Sequence, residues 1–337
     1  MAVSIDPSAV VPKAFAERFR ALAGPAGLLR FDAFVELALY DSDVGYYRHD
    51  RPRVGYRPGT DFVTATSSGP LFGELVAEAC TSLLGATHAS QFTFVEVGAE
   101  PGSSVLDGVE HPFAAVRTFR LGDTPELPAD CILFSNELFD AQPFRRFLFT
   151  SGAWQERSVR LRDDDRLETV CGAPESLPPI LPLEAPEGYQ ADLPLAAQDL
   201  ARSLVTGGWR GLFVAFDYGK TWQQLIEETP EGSARAYWRQ QQQTDLLARP
   251  GEQDLTCHLC WDWLADELRT AGFAGVGLES QESFLIKRAG SHIERVIAAE
   301  ATRLSPRKMS LLQLLHPGNM GQKFQVLWGL RGLEDSP

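Results

Sequence analysis

Several chemically decisive residue types are scarce in this chain. Only five of its 337 residues are cysteine, an odd number spread along the sequence, which excludes a secreted disulfide framework. No apolar run approaches the ~18 residues that a membrane span requires. The segment Met1-Ala2-Val3-Ser4-Ile5-Asp6 lacks a basic region followed by an apolar stretch, so a reducing cytoplasm is the expected compartment and no membrane partner is expected. Positive charge is also short: 31 Lys and Arg face 45 Asp and Glu, a formal net charge of -14. That balance repels nucleic-acid phosphates and anionic lipid unless a basic patch is segregated, and the pairs Arg145-Arg146 and Arg307-Lys308 read as solvated surface. A basic protein remains an admissible partner. The Cys257-His258-Leu259-Cys260 spacing has no second ligand pair at zinc-finger distance, so no metal is expected and these cysteines read as small buried residues.

The remaining sequence alternates helix and strand patterns. Pro12–Ala23 and Phe31–Leu39 carry apolar residues at helical spacing, followed by a Gly-, Pro- and Arg-rich ordered loop from Asp41 to Phe62 and a helix from Leu71 to Leu84. Phe92–Val97, Cys131–Phe134 and Gly211–Phe216 are short, continuously apolar runs, as expected of strands covered on both faces. Phe147–Thr150, Trp154–Arg162 and Leu167–Cys171 alternate between turns and predict an antiparallel meander inserted into the sheet domain. Helices are expected over Leu195–Val205, the Gln-rich Ala234–Leu247 and Trp261–Ala271, with a final strand at Phe324–Trp328. The domain expectation is a helical and loop segment over 1–88 packed on an α/β domain over 89–337, with an insertion at about 144–194.

The first apolar strand runs into Glu96-Val97-Gly98-Ala99-Glu100-Pro101-Gly102, a glycine turn of the kind that lets backbone approach a ligand at the strand ends of an open sheet. It is not the Gly-x-Gly-x-x-Gly of nicotinamide enzymes. Seven further elements follow or precede it in a fixed order: Ala38-Leu39-Tyr40-Asp41…Gly45-Tyr46-Tyr47, Asp61-Phe62-Val63-Thr64, Leu71-Phe72-Gly73-Glu74, Asn136-Glu137-Leu138-Phe139-Asp140-Ala141-Gln142-Pro143, Asp217-Tyr218-Gly219, Asp254-Leu255-Thr256 and Met320-Gly321. In this series, from about Phe31 to Leu327, the chain resembles the MidA-like S-adenosylmethionine-dependent methyltransferases, whose mitochondrial members methylate an arginine of a respiratory complex I subunit.

The resemblance implies a class I methyltransferase-like (Rossmann-like) α/β sheet with S-adenosylmethionine as cofactor. Gly98 and Gly102 match the outer glycines of the family's cofactor turn, and Glu100 replaces the middle one. Backbone N–H groups at the start of a following helix would receive the cofactor carboxylate. The cofactor-binding set implied is Asp61, Thr64, Glu96, Gly98, Glu100, Gly102 and Asp123. Two further departures stand out. Only about 40 residues separate Glu96 from Asn136, too few for the family's long helix and ribose-binding acid, and the family's Pro and Glu after Thr64 are absent, leaving Ser67.

Asn136, Glu137 and Asp140 fall where the fourth strand of a class I sheet meets its helix, and form the candidate catalytic group. Carboxylates and an amide there suit a guanidinium acceptor, which is planar, charged and rich in donors. The competing reading is a capped helix start, with Asn136 as N-cap and acids in the first turn. Asp217 and Tyr218, at the end of the third apolar strand, are candidate substrate contacts, although Asp217 also suits a turn before Gly219. The expected function is methyl transfer to a protein acceptor, with arginine as the expected side chain. Its rival is a degenerate member that keeps the fold as a binding or assembly module.

Overall fold

The computed structural model describes residues 10–48, 65, 69–85, 89–301 and 305–333. The chain forms two compact units, each drawn from three stretches of sequence: Met1–Phe62, Asp140–Ala197 and Lys220–Cys260 in one, Val63–Phe139, Gln198–Gly219 and Trp261–Pro337 in the other. In chain order, α1 (Lys13–Ala23), β1 (Leu28–Arg30) and α2 (Phe31–Tyr40) open the first unit. The second begins with α3 (Pro70–Leu84), β2 (Thr93–Val97), β3 (Ala115–Phe119) and β4 (Asp130–Asn136). The first resumes with β5 (Arg145–Thr150), β6 (Ala153–Leu161), β7 (Leu167–Gly172) and β8 (Gln190–Leu193). After α4 (Leu195–Val205) and β9 (Arg210–Asp217) come β10 (Gly219–Lys220), α5 (Trp222–Glu228), β11 (Arg235–Trp238), β12 (Gln241–Gln243), β13 (Asp254–Thr256) and β14 (Leu259–Cys260). The second unit closes with α6 (Trp261–Thr270), β15 (Ala274–Ser280), α7 (Gln281–Ala299), α8 (Pro306–Leu315) and β16 (Gln325–Arg331).

The second unit is built on a six-stranded sheet ordered β15-β16-β9-β4-β2-β3. β3, β2, β4 and β9 run parallel, whereas β16 is antiparallel to both its neighbours. This is the expected class I pattern, with one edge ending at β3. β4 and β9 are apolar without alternation because both their faces are covered: Cys131–Ser135 and Gly211–Asp217 are buried. On one face, Phe72 of α3 meets Phe216 edge-on at 5.3 Å, and Phe216 meets Phe284 of α7 at 5.5 Å. Gly73, on the same helix, has no room for a side chain, since a Cβ would lie 2.0 Å from the Val105 carbonyl oxygen. The chain leaves β2 toward β3 on one side and reaches β4 on the other. The C-terminal ends of β2 and β4 therefore flank a topological switch point, where open α/β sheets bind ligands.

The first unit carries the expected meander. β5, β6 and β7 are antiparallel in sequence, with β8 on the far side of β5 and β1 on β6. Its core joins Phe15, Phe19, Phe31 and Phe34 of the first two helices to Phe144, Val159 and Leu255. Two expectations are corrected here. Arg146 is not solvated surface: it is 8% exposed and its Nε donates to Asp192 at 2.7 Å. The Gln-rich stretch is not helical. β11 and β12 form a hairpin whose two loop residues, Arg239 and Gln240, have φ of 50° and 63°, the left-handed pair that a tight hairpin turn requires. β11 also pairs with β13, so tertiary pairing outweighs the helix propensity of Gln.

Candidate functional site

Glu96 is the last buried carboxylate of β2 and organises the turn beyond it. One of its oxygens accepts from Ser104 Oγ at 2.7 Å and from the Val105 amide at 2.9 Å. Burial raises its pKa above the usual carboxylate range, opposed by these two hydrogen bonds and by the positive charge of Arg120. Gly98 adopts φ 86°, and a Cβ there would come within 2.8 Å of Leu138 Cδ1. A side chain would be strained by backbone and by space together. Gly102 also has positive φ, at 77°.

No helix follows the turn. Residues 98–114 form successive turns that lead directly into β3, so the expected helix start is absent and its amides are used otherwise. Gly98 and Ala99 both donate to the Phe119 carbonyl, at 2.9 and 3.3 Å, and Ser103 donates to Glu100 O at 3.2 Å. Pro101, Gly102, Gly108 and Pro112 interrupt this segment and account for the missing helix.

Asn136 ends β4. Its Nδ2 donates to Glu137 Oε1 at 3.1 Å, while its Oδ1 is buried without a partner among the described residues. A buried amide oxygen in that state is an acceptor awaiting an N–H donor. Glu137 has φ 50°, a conformation in which a non-glycine residue is strained. That dihedral corrects the capped-helix reading: Glu137 cannot occupy the first turn of a right-handed helix, and residues 137–143 are bends and turns before β5.

The second unit therefore brings together Glu96, Gly98, Glu100, Gly102, Asn136 and Glu137 at the ends of β2 and β4. Asp217 and Tyr218 end the neighbouring β9. The Asp217 carboxylate is fully buried and accepts from the Phe139 and Tyr218 amides at 2.9 and 2.8 Å, which makes it a brace for the backbone after β4. Asp123 closes the turn after β3, where its carboxylate accepts from the Arg120 amide at 2.8 Å. Asp140 belongs to the first unit, and Asp61 and Thr64 lie outside the described residues. Sequence reading passed over Arg120. It is the first residue beyond β3, next to Phe119, whose partner in β2 is Val97. Only the register of β3 on β2 reveals that a guanidinium stands where a strand-end acid would grip a ribose diol.

The methionine half of S-adenosylmethionine fits this arrangement, with a side-chain-free Gly98 and an unpartnered Asn136 acceptor suited to its ammonium. The nucleoside half would lie toward the end of β3, where Arg120 offers donors but no acceptor.

A sheet of this order with a glycine turn at its switch point defines a methyltransferase-type α/β protein. The family described as "Putative S-adenosyl-L-methionine-dependent methyltransferase" matches over residues 103–278, and the chain belongs to it. Among solved structures, the chain is similar to a superfamily member and "likely methyl transferase" from Burkholderia thailandensis bound to S-adenosyl-homocysteine, with TM-score 0.83, 24% identity and coverage of 96% of this chain and 93% of that one. An uncharacterised superfamily protein from the same organism gives TM-score 0.79 and 23% identity over the same shares. Identities of this size show the fold alone. No curated protein matches.

Proposed function

We propose that the chain is a MidA-like S-adenosylmethionine-dependent methyltransferase whose acceptor is a protein arginine. The observation that carries this reading is the end of β4, where Asn136 holds an unpartnered buried oxygen beside the strained Glu137. Strain of this kind persists where the surroundings impose it, typically at ligand sites. When bound, the cofactor would supply an electrophilic methyl group. Gly98 and Asn136 would hold its methionine end, Glu96 would keep the turn in shape, and Glu137 would orient an N–H-rich acceptor and disperse its proton.

A second reading is favoured by Arg120 and Glu100. With a cation at the diol position and a carboxylate within the glycine turn, the fold would serve as a binding or assembly module for a basic protein. One experiment separates the two: calorimetric titration with S-adenosylmethionine, followed by transfer of a labelled methyl group to an arginine peptide. The enzyme reading expects saturable binding and label on the peptide. Absence of binding at millimolar cofactor leaves the module reading.

A further inference from the structure

The first unit contains a pocket of about 80 Å³ between α5 and the proline-rich segment that joins β7 to β8, and none of the candidate site residues lines it. Its walls are mainly apolar and aromatic: Trp154 of β6, Leu181, Pro186 and Tyr189 of the proline-rich segment, and Trp222 and Leu225 of α5. Polar atoms of these walls are already engaged. Trp154 Nε1 donates to the Pro182 carbonyl at 2.7 Å, and the Tyr189 hydroxyl to the Ile226 carbonyl at 2.6 Å. The two rings pack edge to face with centroids 6.0 Å apart. Asp192, also in the lining, is held by Arg146 at 2.7 Å and by the Ala234 amide at 2.8 Å. The pocket therefore presents carbon, and water inside it finds few partners.

Two further observations describe its surroundings. Leu183 is 90% exposed and stands between Pro182 and Glu184, which both line the pocket, so apolar surface continues over the rim. The second observation is charge. Neither residues 167–201 nor residues 221–234 contain a lysine or an arginine, and these are the stretches that supply nearly all of the walls. Glu228 is paired with Lys220, and Glu187 accepts from Thr150 and Ser151. Glu184 and Glu231 are exposed and carry no ion pair among the described residues, and Glu231 is bridged to the pocket residue Gln190.

A second copy of the chain would bring this acidic rim against itself, and like charges across an interface cost free energy. We infer that the pocket docks a basic segment of another polypeptide, with one aliphatic side chain as its anchor. A cavity of ~150 Å³ admits benzene, so one of about 80 Å³ suits a branched aliphatic group and not an aromatic ring. Lysine or arginine beside the anchor would face Glu184 and Glu231, and neighbouring carbon would lie over Leu183. A buried anchor carries most of the energy in such contacts, while rim charges steer and select. The anchor is an apolar residue and not a methyl acceptor, so the inference stands apart from the proposed methyl transfer.

The test is calorimetric binding of three peptides to the full chain: Gly-Lys-Lys-Leu-Lys-Lys-Gly, its counterpart with alanine for leucine, and its counterpart with glutamine for every lysine. The leucine peptide should bind saturably at millimolar concentration or below. Alanine should weaken binding by about tenfold, the scale of two buried methylenes. Glutamine should weaken it by about threefold, with the difference shrinking in high salt. On the protein side, Ala185→Phe sets a ring into the pocket without removing a core side chain and should abolish binding. The rim variants Leu183→Ser and Glu184→Lys should each weaken it, with melting temperatures confirming that all three variants fold. Failure of the leucine peptide to bind, equal binding of the alanine peptide, or unchanged affinity in the folded Ala185→Phe or Glu184→Lys protein overturns the inference. Sedimentation of the free chain tests the other occupant: self-association that Leu183→Ser abolishes would place a second copy at the pocket and overturn the inference as well.

Discussion

Arg120 stands one residue beyond β3, exposed, with its charge reaching the buried Glu96. A ribose diol is gripped best by a carboxylate that accepts from both hydroxyls, and a guanidinium only donates. Arg120→Glu is therefore expected to tighten S-adenosylmethionine by about tenfold, the scale of one restored hydrogen bond to a charged group, in a calorimetric titration. Weaker binding in that variant would make Arg120 itself a ligand contact. His258 poses a different residue-scale question. Burial, assisted by the charges of Arg235 and Lys220, lowers its pKa to about 4, so on acidification the unfolded chain takes the proton first. Its contribution is present above the ordinary histidine pKa and is lost as pH falls from about 6.5 toward 4, by at most about 3 kcal/mol. Across that window the melting temperature of the parent should fall relative to that of His258→Gln. A constant difference between them would remove His258 from the acid response.

At the scale of elements, the motif Leu71-Phe72-Gly73-Glu74 acquires a physical reason. Gly73 lets α3 pass against the Val105 carbonyl, the residue whose amide Glu96 holds. Gly73→Ala should destabilise the fold by about 2 kcal/mol or more, read from chemical denaturation, and should weaken cofactor binding beyond its effect on stability. An unchanged midpoint would show that helix and turn separate without cost. The same scale explains how far the sequence was readable. β2, β4 and β9 were visible because covered parallel strands are apolar throughout, and the meander because β5, β6 and β7 alternate. Gly98 drew attention through the glycine turn, and Asn136 through the resemblance to the methyltransferase family. The hairpin at Arg239-Gln240 was not legible, since its left-handed turn uses residues that rarely adopt one. Nor was the role of Arg120, because register between strands leaves no mark in a single sequence.

For the whole molecule, thiol chemistry gives a global check. Cys80, Cys131, Cys257 and Cys260 are buried, Cys171 is exposed, and none of the five forms a disulfide. Burial raises the thiols of Cys80 and Cys257 far out of the reactive range and that of Cys131 to about 12, and the thiolate is the reactive form. A native chain treated with a coloured disulfide reagent should therefore release the equivalent of one fast thiol, abolished by Cys171→Ser, and of five once denatured. More than one fast thiol in the native state would mean that a core opens readily.

The threading of the two units also fixes an order of events in time. β9 ends at Asp217, yet its neighbour in the sheet, β16, begins only at Gln325, and the intervening chain contains the last of the other unit's three stretches. A nascent chain thus exposes one apolar edge of β9 throughout the synthesis of that stretch, and ribosome-bound intermediates need protection there from pairing with a stranger's strand. A released chain truncated before Gln325 would be an aggregation-prone polypeptide, whereas one truncated after Arg331 would have that edge paired.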